Sequence, residues 1–106
     1  MNNNKSLSDL SSKKNTFLYF VEKGDDLKSV ADKFHTTQRV LIALNNLECE
    51  IKEGEYIIIE KLAGREYVVK PWDTFEKIAH NDKEQARELA LKNKTELLYV
   101  GQKFYI

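Results

Sequence analysis

Apolar positions crowd into Thr16-Phe17-Leu18-Tyr19-Phe20-Val21, and this run of aromatic and β-branched side chains predicts a strand. It stops at a turn, Glu22-Lys23-Gly24-Asp25. Asp26 then stands where a helix N-cap belongs, because Leu27, Val30, Ala31 and Phe34 follow at the i, i+3, i+4, i+7 spacing of one apolar helical face. His35-Thr36-Thr37 interrupts that face, and Thr37 can cap a second helix whose apolar side is Val40, Leu41 and Leu44, ending near Asn45-Asn46. A loop over residues 47–54 leads into a second strand, Tyr56 to Ile59. The unit reads strand, helix, helix, strand.

The same pattern then starts again. At an offset of 48 residues Tyr19/Tyr67, Val21/Val69, Asp25/Asp73, Ala31/Ala79, Arg39/Arg87, Leu41/Leu89 and Asn45/Asn93 are identical pairs, and Leu27/Phe75 and Val30/Ile78 keep their character. Beyond the second helix the offset is 47, where Gly54 matches Gly101, Ile51 matches Leu98, Ile57 matches Phe104 and Ile59 matches Ile106. The copies differ at one telling place: Asp82 stands where Phe34 closes the first helix. A charge there does not suit a core, so Asp82 is expected to form a capping box with Gln85 and to start the second helix early. Glu88 and Lys92 add an i, i+4 pair to that helix, and the helix before it should be shorter.

Composition narrows the classes of function. The chain has 106 residues, 42% of them hydrophobic, which suffices for a modest core in one or two small domains. Seventeen basic residues balance seventeen acidic ones, so the basic excess that favours nucleic acid or an anionic membrane is absent. No apolar run is long enough for a membrane helix. Cys49 is the single cysteine, which excludes an internal disulfide. Residues 1–15 are rich in Asn, Ser and Lys and read as a disordered polar leader without an export-signal h-region. As written the chain is expected in the cytoplasm, with a wall or spore association if it is exported or released.

In order, Tyr19, Val21, Gly24, Asp25, Leu27, Val30, Ala31, Leu41, Asn45, Gly54 and Ile59 form a pattern that resembles the LysM family. It returns as Tyr67, Val69, Pro71, Asp73, Thr74, Ile78, Ala79, Leu89, Asn93, Gly101 and Ile106. The resemblance implies an α+β protein of two consecutive βααβ modules, each a two-stranded antiparallel sheet packed on two helices, over residues 16–60 and 66–106. It also implies non-catalytic binding of N-acetylglucosamine-containing glycans, peptidoglycan or chitin-type oligomers, with no cofactor. Asp26 replaces the family's usual Thr, and Trp72 replaces its turn Gly.

By resemblance, each glycan groove lies between the loop after the first strand and the loop before the second. The first copy brings Gly24, Asp25, Asp26 and Leu27 to face Glu48, Cys49, Glu50 and Ile51. The second brings Pro71, Trp72, Asp73, Thr74 and Phe75 to face Glu96, Leu97, Leu98 and Tyr99. Acetylated sugars take hydrogen bonds at the N-acetyl group and apolar or aromatic surface at the sugar face, which favours the second copy. The first is a carboxylate cluster that repels acidic peptide stems. Beside these stand plainer readings. Trp72 can be a cover over the other repeat, and Asp25 and Asp73 can hold their own turns and helix starts. Asn45 and Asn93 are read as shaping the end of the second helix, and Tyr19 and Tyr67 as core or sheet residues. Asp25, Asp26, Glu48 and Glu50 lack the spacing of a calcium loop, and His35 and His80 lack ligand-type partners, so no metal is expected. Nothing in the sequence has the arrangement of a nucleophile with its base, and no enzyme activity is expected.

A second class of function is an intracellular scaffold of spore-coat or phage-tail type. It would use the same fold for a protein partner, with the strands Thr16 to Val21 or Phe104 to Ile106 as edges open to extension.

Overall fold

A computed structural model describes residues 15–106, and the polar leader expected over residues 1–15 lies, apart from Asn15, outside the described residues. The chain divides into two compact units, the first running to Lys61 and the second from Leu62. Each is α+β, with a two-stranded antiparallel sheet and two helices.

In the first unit β1 (Thr16–Phe20) pairs with β2 (Tyr56–Glu60) in a register that sets Leu18 against Ile58 and Phe20 against Tyr56. Val21 continues the pairing one step, its N–H bonding Glu55 O at 2.8 Å. Alternation along the strands sends Phe17, Tyr19, Val21, Ile57 and Ile59 to the face that packs on the helices. Between the strands lie α1 (Leu27–Lys33) and α2 (Gln38–Asn45). Asp26 starts α1 with a full capping box: its carboxylate accepts the Ser29 N–H, and its own N–H bonds Ser29 Oγ. Thr37 caps α2 through the Val40 N–H, and Asn46 ends it in the left-handed conformation. The core is Val21, Leu27, Val30, Ala31, Leu41, Ile51, Ile57 and Ile59, flanked by Phe34, which stands edge-on to Phe17 and Tyr19.

The second unit repeats the order with β3 (Glu66–Val68), α3 (Phe75–Ile78), α4 (Lys83–Lys92) and β4 (Lys103–Tyr105). α3 is one turn of four residues against the seven of α1, and α4 has ten against the eight of α2. Asp82 is the reason. It leaves the core, and its carboxylate accepts the Gln85 N–H at 3.0 Å as the N-cap of α4. The expected capping box is only half made, because the Asp82 N–H bonds the Ala79 carbonyl rather than the Gln85 side chain. Fully buried Phe104 organises the aromatic packing here, with Tyr67 and Phe75 both edge-on to it. Gly64, in the left-handed region, passes so close to the chain's end that a Cβ there would overlap the Ile106 carbonyl oxygen.

One device recurs in both units. The Asn45 amide donates to Leu41 O in its own helix and to Ile58 O, and accepts the Ile58 N–H at 2.7 Å. Asn93 makes the corresponding three bonds to Leu89 O, Tyr105 O and the Tyr105 N–H. Each side chain thus ties the second helix to the outer edge of the last strand. This revises two expectations. The asparagines do more than end a helix, and the strand over Phe104 to Ile106 is not an open edge, since the Tyr105 backbone is occupied and the Ile106 N–H bonds Arg65 O.

Replacing Asn93, 1% exposed, by Ala strands the buried N–H and C=O of Tyr105. The expected loss is about 3 kcal/mol, read as a lower urea midpoint by far-ultraviolet circular dichroism.

Candidate functional site

The candidate groove of each unit is built from two loops, and an aspartate fixes the first of them. Asp25 accepts the Tyr19 hydroxyl at 2.6 Å and the Glu22 N–H at 2.9 Å. Asp73 accepts the Tyr67 hydroxyl at 2.7 Å and the Lys70 N–H at 2.8 Å. The strand tyrosine therefore braces the turn that follows it. Sequence reasoning assigned the tyrosines to core or sheet and missed this bond, although tyrosine and aspartate recur six residues apart in both copies. Helix starts are left to the next residue, Asp26 in one unit and Thr74 in the other, the latter accepting the Lys77 N–H.

The second loop is closed by another recurrent bond. Glu55 accepts the Lys52 N–H in unit 1, and Gln102 accepts the Tyr99 N–H in unit 2. In unit 2 the loop is tightened further by Thr95, whose hydroxyl donates to Leu97 O. Thr95 and Gln102 are both buried, and neither was among the residues singled out from sequence.

Across the groove the units part company. In unit 1 one carboxylate oxygen of Glu50 accepts both the Leu27 N–H at 2.8 Å and the Ile51 N–H at 3.0 Å, clasping the start of α1 to the second loop. Leu27 and Ile51 are buried in the core, so what they present to the groove is mainly backbone. Gly24, Asp26, Glu48 and Cys49 are exposed. In unit 2 the position of Glu50 falls to Leu97, which has no carboxylate, and no such clasp forms among the described residues. What unit 2 presents is apolar: Trp72 is 87% exposed, Leu97 70% and Tyr99 56%, with Val100, which sequence reasoning passed over, exposed beside them in the chain. Pro71 and Thr74 are exposed, Leu98 is half-buried, and Phe75 is half-buried against Phe104.

Trp72 occupies the turn position that Gly24 holds in unit 1, and both have positive φ, 73° and 91°. A glycine takes that conformation without strain. A tryptophan takes it at a cost of order 1–3 kcal/mol, and burial of its ring does not offset that cost. The turn is held by Asp73 from one side and by Lys77 Nζ, which donates to Trp72 O, from the other.

The bracing bonds set the acid–base behaviour. The Tyr19 hydrogen bond, and after it the Glu22 N–H, hold the Asp25 carboxyl below the usual carboxylate range. Tyr67 and the Lys70 N–H do the same for Asp73. Tyr19 is pushed up to about 12, first by its bond to Asp25 and then by burial. A lowered carboxyl pKa gives stability that is present above the ordinary value and lost as pH falls through the lowered one. A raised phenol pKa gives stability that is complete below 10.0 and lost as pH rises through about 12. Tyr19→Phe should therefore move the Asp25 titration up toward 3.8 in a carboxyl-carbon NMR titration, and leave Asp73 where it was.

No curated protein matches the chain. Two solved structures resemble it, the spore cortex-lytic enzymes SleL of Bacillus cereus and of Bacillus megaterium QM B1551. Both are 26% identical, over 87% and 84% of this chain, with TM-scores of 0.42 and 0.41. In each case the match covers 22% of the enzyme's own chain, so this chain spans about a fifth of their length. The family model described as LysM domain matches residues 19–59, from the braced tyrosine of β1 to the buried isoleucine of β2, and that stretch of the chain is a LysM domain.

Proposed function

We propose that the protein is a non-catalytic receptor for N-acetylglucosamine-containing glycans, peptidoglycan or chitin-type oligomers, and that unit 2 is a diverged second LysM module with the stronger groove. The LysM domain of residues 19–59 supports peptidoglycan or related glycan binding in general. The observation that carries the finer reading is Trp72, an exposed tryptophan held in a strained backbone conformation that the fold elsewhere gives to glycine. Strain that burial does not offset is retained for what the side chain meets outside. A flat indole with exposed Leu97 and Tyr99 offers apolar surface to a sugar face and an acetyl methyl, while the loop backbone supplies donors and acceptors to the amide.

The first groove differs in chemistry and in access. Glu50 clasps it, and Asp25, Asp26 and Glu48 give it acidic character. It would accept bonds from sugar hydroxyls but disfavour acidic stems. Two modules on one chain gain avidity through effective concentration when both engage one glycan strand. No helix among the described residues is long and apolar enough to cross a membrane.

Amide chemical shifts followed during titration with N-acetylglucosamine oligomers should change first at residues 72–75 and 97–99. Trp72→Ala should weaken binding by about tenfold, the equivalent of roughly 1.4 kcal/mol for a lost stacking contact. Unperturbed amides at millimolar excess, together with no retention on purified peptidoglycan, would remove the glycan reading altogether.

A further inference from the structure

The two sheets have four outer edges, and three are guarded. Asn45 occupies the backbone of Ile58 on β2, and Asn93 that of Tyr105 on β4. β3 has only three residues and begins on Glu66, which pairs with Lys103 across the sheet. β1 is different. Its five residues include no charge, no proline and no bulge, and these are the devices that ordinarily keep an edge from pairing.

Register fixes what that edge presents. Asn15 O accepts the Lys61 N–H and the Val21 N–H bonds Glu55 O, so the odd-numbered residues of β1 bond β2. The even-numbered ones, Thr16, Leu18 and Phe20, turn their N–H and C=O groups to the open side. Their side chains lie on the sheet face opposite the helices. There Leu18 is 45% exposed, Phe20 48% and Tyr56 68%, and Phe20 stands edge-on to Tyr56.

The repeat supplies an internal control. At the positions of Leu18 and Tyr56 the second unit carries Glu66 and Lys103, a charged pair on the same sheet face. Folding therefore accepts charge at these places, and the apolar set in unit 1 answers to something other than its own core.

We propose that β1 is a self-association edge, through which two copies of the chain pair antiparallel about a twofold axis at Leu18. Thr16 then faces Phe20 of the second copy and Leu18 faces its own counterpart, so that all the outward groups of β1 are matched in about six hydrogen bonds. A small residue opposes a large one at each end. Leu18, Phe20, Tyr56 and Ile58 of both copies join into one apolar strip across a four-stranded sheet. A second copy also fits by charge: Lys13 and Lys14 precede the strand and Glu22, Asp25 and Asp26 follow it, so antiparallel pairing sets a basic start beside an acidic end. This inference stands apart from the glycan reading, since it uses neither groove.

Sedimentation of the full chain from micromolar to millimolar concentration should show an average mass rising from 12.4 kDa toward twice that value. Leu18→Glu sets like charges opposite each other at the axis, and should weaken association by at least about tenfold with unchanged circular dichroism. An equimolar mixture of Leu18→Glu and Leu18→Lys should restore it. Amide exchange at Leu18 and Phe20 of the unmodified chain should slow as concentration rises. A chain that stays monomeric throughout, a Leu18→Glu chain that associates as well as the parent, or a mixture that fails to recover would each overturn the proposal.

Discussion

The bond set that the rest of the structure depends on is the asparagine amide at the end of each unit's second helix. A two-stranded sheet is marginal by itself, and a helix of eight or ten residues is marginal by itself. The amide of Asn45 or Asn93 joins them by satisfying one strand residue's N–H and C=O while also bonding its own helix four residues back. Buried backbone groups need partners, and here a single side chain stands in for a third strand. The same bonds close the sheet's far edge, and so leave β1 as the side from which the sheet of unit 1 can be extended.

On that common frame the units have taken different surfaces. In unit 1 the groove is clasped by Glu50 and lined with acid, and the back of the sheet is apolar. In unit 2 the clasp position is Leu97, Trp72 replaces a glycine at the turn, and the back of the sheet carries Glu66 and Lys103. Apolar exposure has in effect moved from the sheet face in one copy to the groove in the other. A division of labour follows, with unit 2 meeting a sugar and unit 1 meeting protein.

Much of the fold was legible in the sequence, because its signals are local. The i, i+3, i+4, i+7 spacing of Leu27, Val30, Ala31 and Phe34, the caps Asp26 and Thr37, and the displacement of Asp82 from core to cap all depend on neighbours within a turn or two. The α+β order of two βααβ units came out as expected. What stayed hidden depends on residues that only folding brings together. Asn45 reaches Ile58 thirteen residues away, and Glu50 reaches Leu27 across twenty-three. Tyr19 bonds Asp25 around a turn whose shape the composition does not give. Recurrence at a fixed offset marked the tyrosine, aspartate and asparagine as constrained, without telling by what. Glu50 has no such recurrence, so its clasp left no trace in the repeat.

The central claim is that unit 2 presents Trp72 to a glycan, and the chain offers a direct reporter because Trp72 is its single tryptophan. Tryptophan fluorescence titrated with an N-acetylglucosamine oligomer reads that ring alone. The account predicts a saturable blue shift as a solvated indole, 87% exposed, becomes covered by sugar. A spectrum that stays flat while the oligomer binds elsewhere on the chain would contradict it.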